Sequence, residues 1–248
     1  MKIAKNGRSG PVAMVTGGAS FLGRSLSLHL ARRGFNLILH YQKSVLRTQK
    51  LAAEARELGV EAVIVRADLG RPEQVQLLVQ ALQRTFGRLD LLVNNASSFY
   101  PTPLSRSKPG QWQQILNVNL ISPYALCQAV APWLKKSSGS IVNMTDIYGE
   151  NPILKDYSAY CASKAGLITV TKILAKELGP EVRVNAVSPG AILIPKSYGP
   201  KKRKELIERS ALKKQGTPED IAEAVCFLAT QGFMTGQVLK VDGGRFLN

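Results

Sequence analysis

Residues 12–34 read VAMVTGGASFLGRSLSLHLARRG. The apolar run Val12–Thr16 ends at Gly17-Gly18, which marks a buried strand and its turn. Leu22, Leu26, Leu28, Leu30 and Ala31 then predict a helix over 22–33, and Gly34 stops it. A strand, a glycine-rich turn and a helix in that order suit a pyrophosphate. Glycines let the backbone turn sharply and approach the phosphates, while the helix N-terminus offers free N–H groups and a favourable dipole. The turn from Thr16 to Gly23 is by itself compatible with plain turn chemistry. Its place between the first strand and an amphipathic helix makes it a candidate dinucleotide site.

The alternation continues along the chain. Further strands are predicted at Asn36–His40, Ala62–Arg66, Leu89–Asn94, Ser140–Asn143, Val182–Ala186 and Val238–Val241. Helices are predicted over about 45–58, 72–86, 110–135, 157–178, 201–213 and 218–230. Short apolar strands between helices imply parallel strands with helical crossovers. Right-handed crossovers give a doubly wound, Rossmann-type α/β sheet of about seven strands, with helices on both faces. No linker, repeat or low-complexity tract interrupts the pattern, so residues 1–248 are expected to form one domain. Ligands belong at the carboxyl edge of such a sheet.

Composition narrows the function classes. The chain is 45% hydrophobic and 20% charged, which permits a core and excludes disordered and collagen-like chains. No apolar run is long enough for a membrane span, and the start MKIAKNGRSG carries no apolar signal core. Cys127, Cys161 and Cys226 lie far apart, making neither a disulfide framework nor a CxxC site, and two histidines argue against a zinc hydrolase. A cytoplasmic protein without a metal is expected. The net charge of +16 attracts anions. No acidic residue precedes Glu54, and Lys196, Lys201, Lys202, Arg203, Lys204, Arg209, Lys213 and Lys214 form a second basic stretch. This is either a plain basic surface or a docking field for an anionic partner. No RNA-recognition or helix-turn-helix signature accompanies it, so nucleic-acid binding is not expected.

Polar residues recur at the predicted carboxyl edge. After the second strand stand Tyr41-Gln42-Lys43-Ser44, where dinucleotide folds usually place a carboxylate for the ribose. A cation and neutral hydrogen-bonding groups there, with Arg24 nearby, suit the extra phosphate of NADP. Asp68 and Leu69 end the third strand, and Asn94-Asn95-Ala96-Ser97 the fourth. Tyr160 and Lys164 share one face of a helix, four residues apart. An ammonium beside a phenol favours the phenolate and lowers its pKa.

Taken with the TGGxxxLG turn and the NNAS stretch, these residues resemble the short-chain dehydrogenase/reductase family. The resemblance extends through Asn119, Ser188-Pro189-Gly190, Thr235-Gly236 and Val241-Asp242-Gly243-Gly244. It implies a tyrosine acid or base (Tyr160), a lysine that binds the nicotinamide ribose and acidifies it (Lys164), and an asparagine holding the lysine's relay water (Asn119). It places NADP(H) against Gly17, Ser20, Phe21, Leu22, Gly23, Tyr41, Gln42, Lys43, Ser44, Asp68, Leu69, Asn95, Ala96, Ser97, Tyr160, Lys164, Pro189 and Gly190. It also implies a homotetramer and a substrate loop over about 191–214, with the basic segment 196–214 as a mobile lid.

Within that family, Asp146 stands where most members carry serine, 14 residues before Tyr160. That carboxylate, the stretch Asn94–Leu104 and Leu39-His40-Tyr41 are similar to the pteridine reductase branch. The substrate implied is a dihydropterin or dihydrofolate, held by Ser97, Phe99, Asp146 and Tyr160, with Phe99 stacking on the ring. Reduction at C=N needs hydride at carbon and a proton at nitrogen, and a carboxyl–phenol pair can relay that proton. Phe21 departs from the branch, which has arginine there, and Ile194 replaces the family's usual threonine. The alternatives are a reductase of a 3-oxoacyl chain on a carrier protein or of a small carbonyl compound. Outside enzymes, they are a non-catalytic NADP-binding protein or a nucleic-acid binder.

Overall fold

The computed structural model describes residues 10–194 and 199–247. Seven parallel strands form one sheet: β1 (Val12–Val15), β2 (Asn36–Tyr41), β3 (Ala62–Arg66), β4 (Leu91–Asn94), β5 (Ser140–Met144), β6 (Arg183–Pro189) and β7 (Val238–Val241). Their spatial order is β3-β2-β1-β4-β5-β6-β7. The chain runs outward one way from β1 and then the other way from β4, so the crevice at the β1/β4 switch point is the ligand position of such sheets. The doubly wound α/β expectation matches this architecture.

Among the described residues eight helices cover the two faces: α1 (Phe21–Arg32), α2 (Val45–Glu57), α3 (Val75–Thr85), α4 (Pro109–Leu116), α5 (Ser122–Ser137), α6 (Ser158–Glu177), α7 (Pro200–Glu208) and α8 (Pro218–Thr230). Strand side chains alternate between faces. Ala13 and Val15 pack with α1, α2 and α8 through residues such as Leu30, Leu51 and Ile221, whereas Val12 and Met14 pack with α3, α5 and α6 through Leu78, Leu126 and Leu174. Strands buried on both faces explain the short, uninterrupted apolar runs.

Two helices depart from the expected spans. The helix expected over 110–135 is α4, a wider π turn at Asn117–Ile121 and α5. The π turn carries Asn119 inward, a common use of such bulges. The helix expected over 201–213 stops at Glu208, because Ser210 turns back onto Ile207 and Lys213 takes a positive φ of 51°. Lys196 of the expected lid lies outside the described residues.

Gly23 fixes how closely α1 approaches the first turn. A Cβ there would lie 2.1 Å from the Gly17 carbonyl oxygen, which is backbone and cannot step aside cheaply. Gly23→Ala is expected to cost roughly 1–3 kcal/mol, lowering the thermal midpoint by about 2–4 °C per kcal/mol. Calorimetry checks this; an unchanged midpoint would mean the turn is looser than the packing shows.

Candidate active site

A cavity of about 580 Å³ opens at the carboxyl edge, over the β1/β4 switch point. Gly17, Ser20, Phe21 and Leu22 form its wall at the first turn. Ser20 caps α1, its Oγ accepting from Gly23 N at 3.1 Å. Asn95 ties the turn to β4, its Nδ2 donating to Thr16 O at 2.9 Å and Gly17 O at 3.1 Å. First-turn amides have no intrahelical acceptor, and Phe21 and Leu22 carry theirs at the cavity wall. Gly17, at φ 63°, leaves room that a side chain would take: a Cβ would meet the Ala96 Cα at 3.2 Å. Backbone amides and a glycine-cleared approach fit a dinucleotide's pyrophosphate.

His40, to which no role was given above, organises this wall. It is buried at the end of β2; its Nδ1 accepts from Gly17 N at 3.0 Å and its Nε2 faces Ala67 O at 3.1 Å. These partners require a neutral ring with the proton on Nε2. Burial lowers its pKa to about 4. Only the position at a strand end next to a glycine turn could have pointed to it.

The remaining expected cofactor residues divide into two groups. Gln42, Asp68, Leu69, Asn95, Ala96, Ser97, Pro189 and Gly190 line the cavity, as do Phe99, Asp146, Tyr160 and Lys164. Gln42 Nε2 donates to Asp68 Oδ1 at 2.7 Å, joining two strand ends. Gly23, Tyr41, Lys43, Ser44 and Asn119 stand outside the lining. Tyr41 is held in register with Arg66, and Lys43 and Ser44 sit exposed just before α2. Arg24, expected to add charge for a phosphate, is paired with Glu54. Asn119 is fully buried and braces the 97–98 backbone against α6: Oδ1 accepts from Ser98 N at 2.7 Å, and Nδ2 donates to Ser98 O and Ser163 Oγ, both at 3.0 Å.

At the other end of the cavity, α6 presents Tyr160 and Lys164, and the end of β5 presents Asp146. Tyr160 Oη donates to Asp146 Oδ2 at 2.7 Å; Asp146 Oδ1 accepts from Tyr148 N at 3.0 Å. Lys164 Nζ donates to Met144 O at 2.8 Å and lies 5.6 Å from the Tyr160 ring centroid. Burial raises the Asp146 pKa, against the bonds from Tyr148 and Tyr160. Burial lowers that of Lys164 to about 8. Burial first, then the facing Asp146, push the Tyr160 pKa well up, the opposite direction to the lowering expected from Lys164. Phe99 is half exposed (51%), stacked on Tyr157 at 4.6 Å and edge-on to Tyr160 at 4.7 Å.

Residues 17–245 match the family described as enoyl-(acyl carrier protein) reductase. The chain belongs to the short-chain dehydrogenase/reductase family. This member is an NADP(H)-dependent oxidoreductase. It is similar to a Streptomyces violaceoruber protein named for ketoacyl reductase 2 of the granaticin polyketide synthase, at 36% identity over 99% of this chain and 100% of that one. It is also similar to 3-oxoacyl-[acyl-carrier-protein] reductases of Staphylococcus epidermidis (34%, covering 95% and 98%) and of Synechocystis sp. (36%, covering 95% and 97%). These relatives support the short-chain dehydrogenase/reductase family and not its pteridine reductase branch. Among the described residues no helix is long and apolar enough to cross a membrane.

His40 gives the turn a pH signature. Its folded pKa lies near 4, below its ordinary 6.5, so the unfolded chain binds the proton more readily. The stability it confers is whole above pH 6.5 and lost as pH falls toward 4. Between pH 7.5 and 5.0 the native protein is expected to lose about 2 kcal/mol that His40→Gln does not. Urea titrations at the two pH values check this; equal losses would show that His40 titrates normally.

Proposed function

We propose that this reductase transfers hydride from NADPH to a C=N bond of a planar, nitrogen-rich ring of the pterin class, a dihydropterin or dihydrofolate. The observation that carries this reading is the 2.7 Å bond from Tyr160 Oη to Asp146 Oδ2 inside the cavity. Reduction of C=N needs a proton at nitrogen, and a carboxyl with a raised pKa is a proton source for it. The exposed part of Phe99 offers an aromatic surface for such a ring.

NADP(H), when bound, supplies the hydride to the ring carbon. Tyr160 gives its proton to the adjacent nitrogen and takes one from the protonated Asp146, which recovers its own from solvent. Lys164 holds the ribose, and its ammonium, anchored on Met144 O, stabilises the phenol's transient anion. The first-turn amides would carry the pyrophosphate, and Gln42 and Lys43 would bind the ribose phosphate. Lys43→Ala is expected to weaken NADPH by about tenfold or more, the worth of one charge-assisted hydrogen bond, and to leave NADH unchanged. Equal use of both cofactors by the native protein would remove this assignment.

A second reading is reduction of a 3-oxoacyl thioester on an acidic carrier protein. The relatives' names favour it, as does the exposed basic surface of α7, with Lys201, Lys202 and Lys204. Under either reading we expect a homotetramer; Trp112, Ile121, Tyr124 and Ile173 expose apolar surface around α4, α5 and α6.

Side-by-side NADPH oxidation with a dihydropterin and an acetoacetyl thioester separates the readings. Turnover of the pterin, lost by about 10²-fold or more in Asp146→Ser and Tyr160→Phe, is expected. Because protonated Asp146 is the acid, the pterin rate should fall as pH rises through its raised pKa, and Asp146→Asn should abolish that limb. Preference for the thioester, with Asp146→Ser improving it, would establish the second reading.

A further inference from the structure

The segment after β7 meets the turn that follows Asp146. Arg245 follows β7, is only 5% exposed, and lines the cavity. Its Nη2 donates to Tyr148 Oη at 2.9 Å, and its Nη1 donates to Leu206 O of α7 at 2.8 Å. Tyr148 in turn donates its backbone N–H to Asp146. Leu206 also lines the cavity, so α7 forms part of its cover.

The segment before Arg245 is built to aim it. Asp242 accepts from Gly244 N at 2.9 Å and from Phe246 N at 2.7 Å, bending the chain after β7. Gly244 has φ 77°, and a Cβ there would lie 2.8 Å from the Ala211 Cβ. Leu212 N bonds to Gly243 O at 3.0 Å. Lys240 pairs with Glu150 at 2.9 Å, pinning β7 to the segment that follows Asp146. A buried guanidinium with two designated acceptors on different elements is costly to place unless both are met.

We infer that Arg245 is a positioning residue that latches helix α7 onto the cavity and couples that closure to the charge of Asp146. This rests on the proton-delivery role proposed for Asp146. With α7 seated, the guanidinium is held against Tyr148, close enough to favour the ionised form of Asp146. When α7 lifts, the guanidinium loses one of its two acceptors and its fixed place, and the carboxyl holds its proton more firmly. The groups facing Asp146 are Tyr160, Cys161 and Lys164 from α6, Tyr148 from its own turn, and Arg245 from the end of β7; Arg209, just past α7, acts on Tyr148. Arg245 joins α7 to this group through its bond to Leu206 O.

The test combines hydrogen exchange across residues 200–208 of the ligand-free protein with the pH profile of pterin reduction. In Arg245→Met, exchange over 200–208 should quicken about fivefold or more. The falling limb of the rate should move up by about half a pH unit or more. Arg245→Lys keeps the charge without the two-armed bond, so exchange should quicken and the limb should move up, though less than in Arg245→Met; it also serves if the methionine variant does not fold. Native exchange in both variants overturns the latch, whatever the substrate. A limb unmoved in Arg245→Met but abolished by Asp146→Asn overturns the coupling. A limb that survives Asp146→Asn overturns the proton-delivery role itself.

Discussion

A phenol and a carboxyl group share a hydrogen bond where water is largely excluded, and the chemistry of the cavity follows from how that bond divides its proton. Tyr160 donates and Asp146 accepts. Burial disfavours the charged form of each, so both pKa values rise and the pair is a store of protons rather than a ready base. Lys164 offsets part of that cost by standing near with a positive charge, itself weakened by burial.

The scaffold's task is to bring β5 and α6 together at that bond while leaving the first turn open to a dinucleotide. It does so with buried polar braces. Asn119 ties the end of β4 to α6, Asn95 ties it to the first turn, and His40 ties the turn to the end of β3. Each brace crosses between strand ends far apart in sequence, so the cavity wall is only as rigid as these neutral hydrogen bonds. Loss of one leaves its buried partner unsatisfied, which costs more than the bond itself contributes.

Much of this was legible in the sequence. Strands buried on both faces give apolar runs, and the glycine turn reads directly because backbone conformation limits which residues fit. Asp146, Tyr160 and Lys164 were recognisable from their spacing and from a family resemblance. The curated relatives then supported the family and favoured a different substrate from the one the resemblance suggested. What was hidden depends on contacts between distant segments. His40 lies in a stretch quoted only for its resemblance, which does not show its bond to the glycine turn, and Arg245 meets Tyr148 across 97 residues. The lowering expected from Lys164 runs against the burial of Tyr160, because spacing along a helix reveals proximity but not burial. The pairing of Arg24 with Glu54 was invisible for the same reason: charge counts do not show which charges are already answered.

The proton inventory of the Asp146–Tyr160 pair is the account's central claim, and carbon-13 NMR with labelled aspartate carboxyls measures it directly, using Asp146→Asn to assign the resonance. The account predicts that Asp146 titrates above the ordinary carboxylate value of 3.8 while Tyr160 stays protonated across neutral pH. An Asp146 that titrates at or below that value, or a Tyr160 that ionises near neutrality, would contradict it.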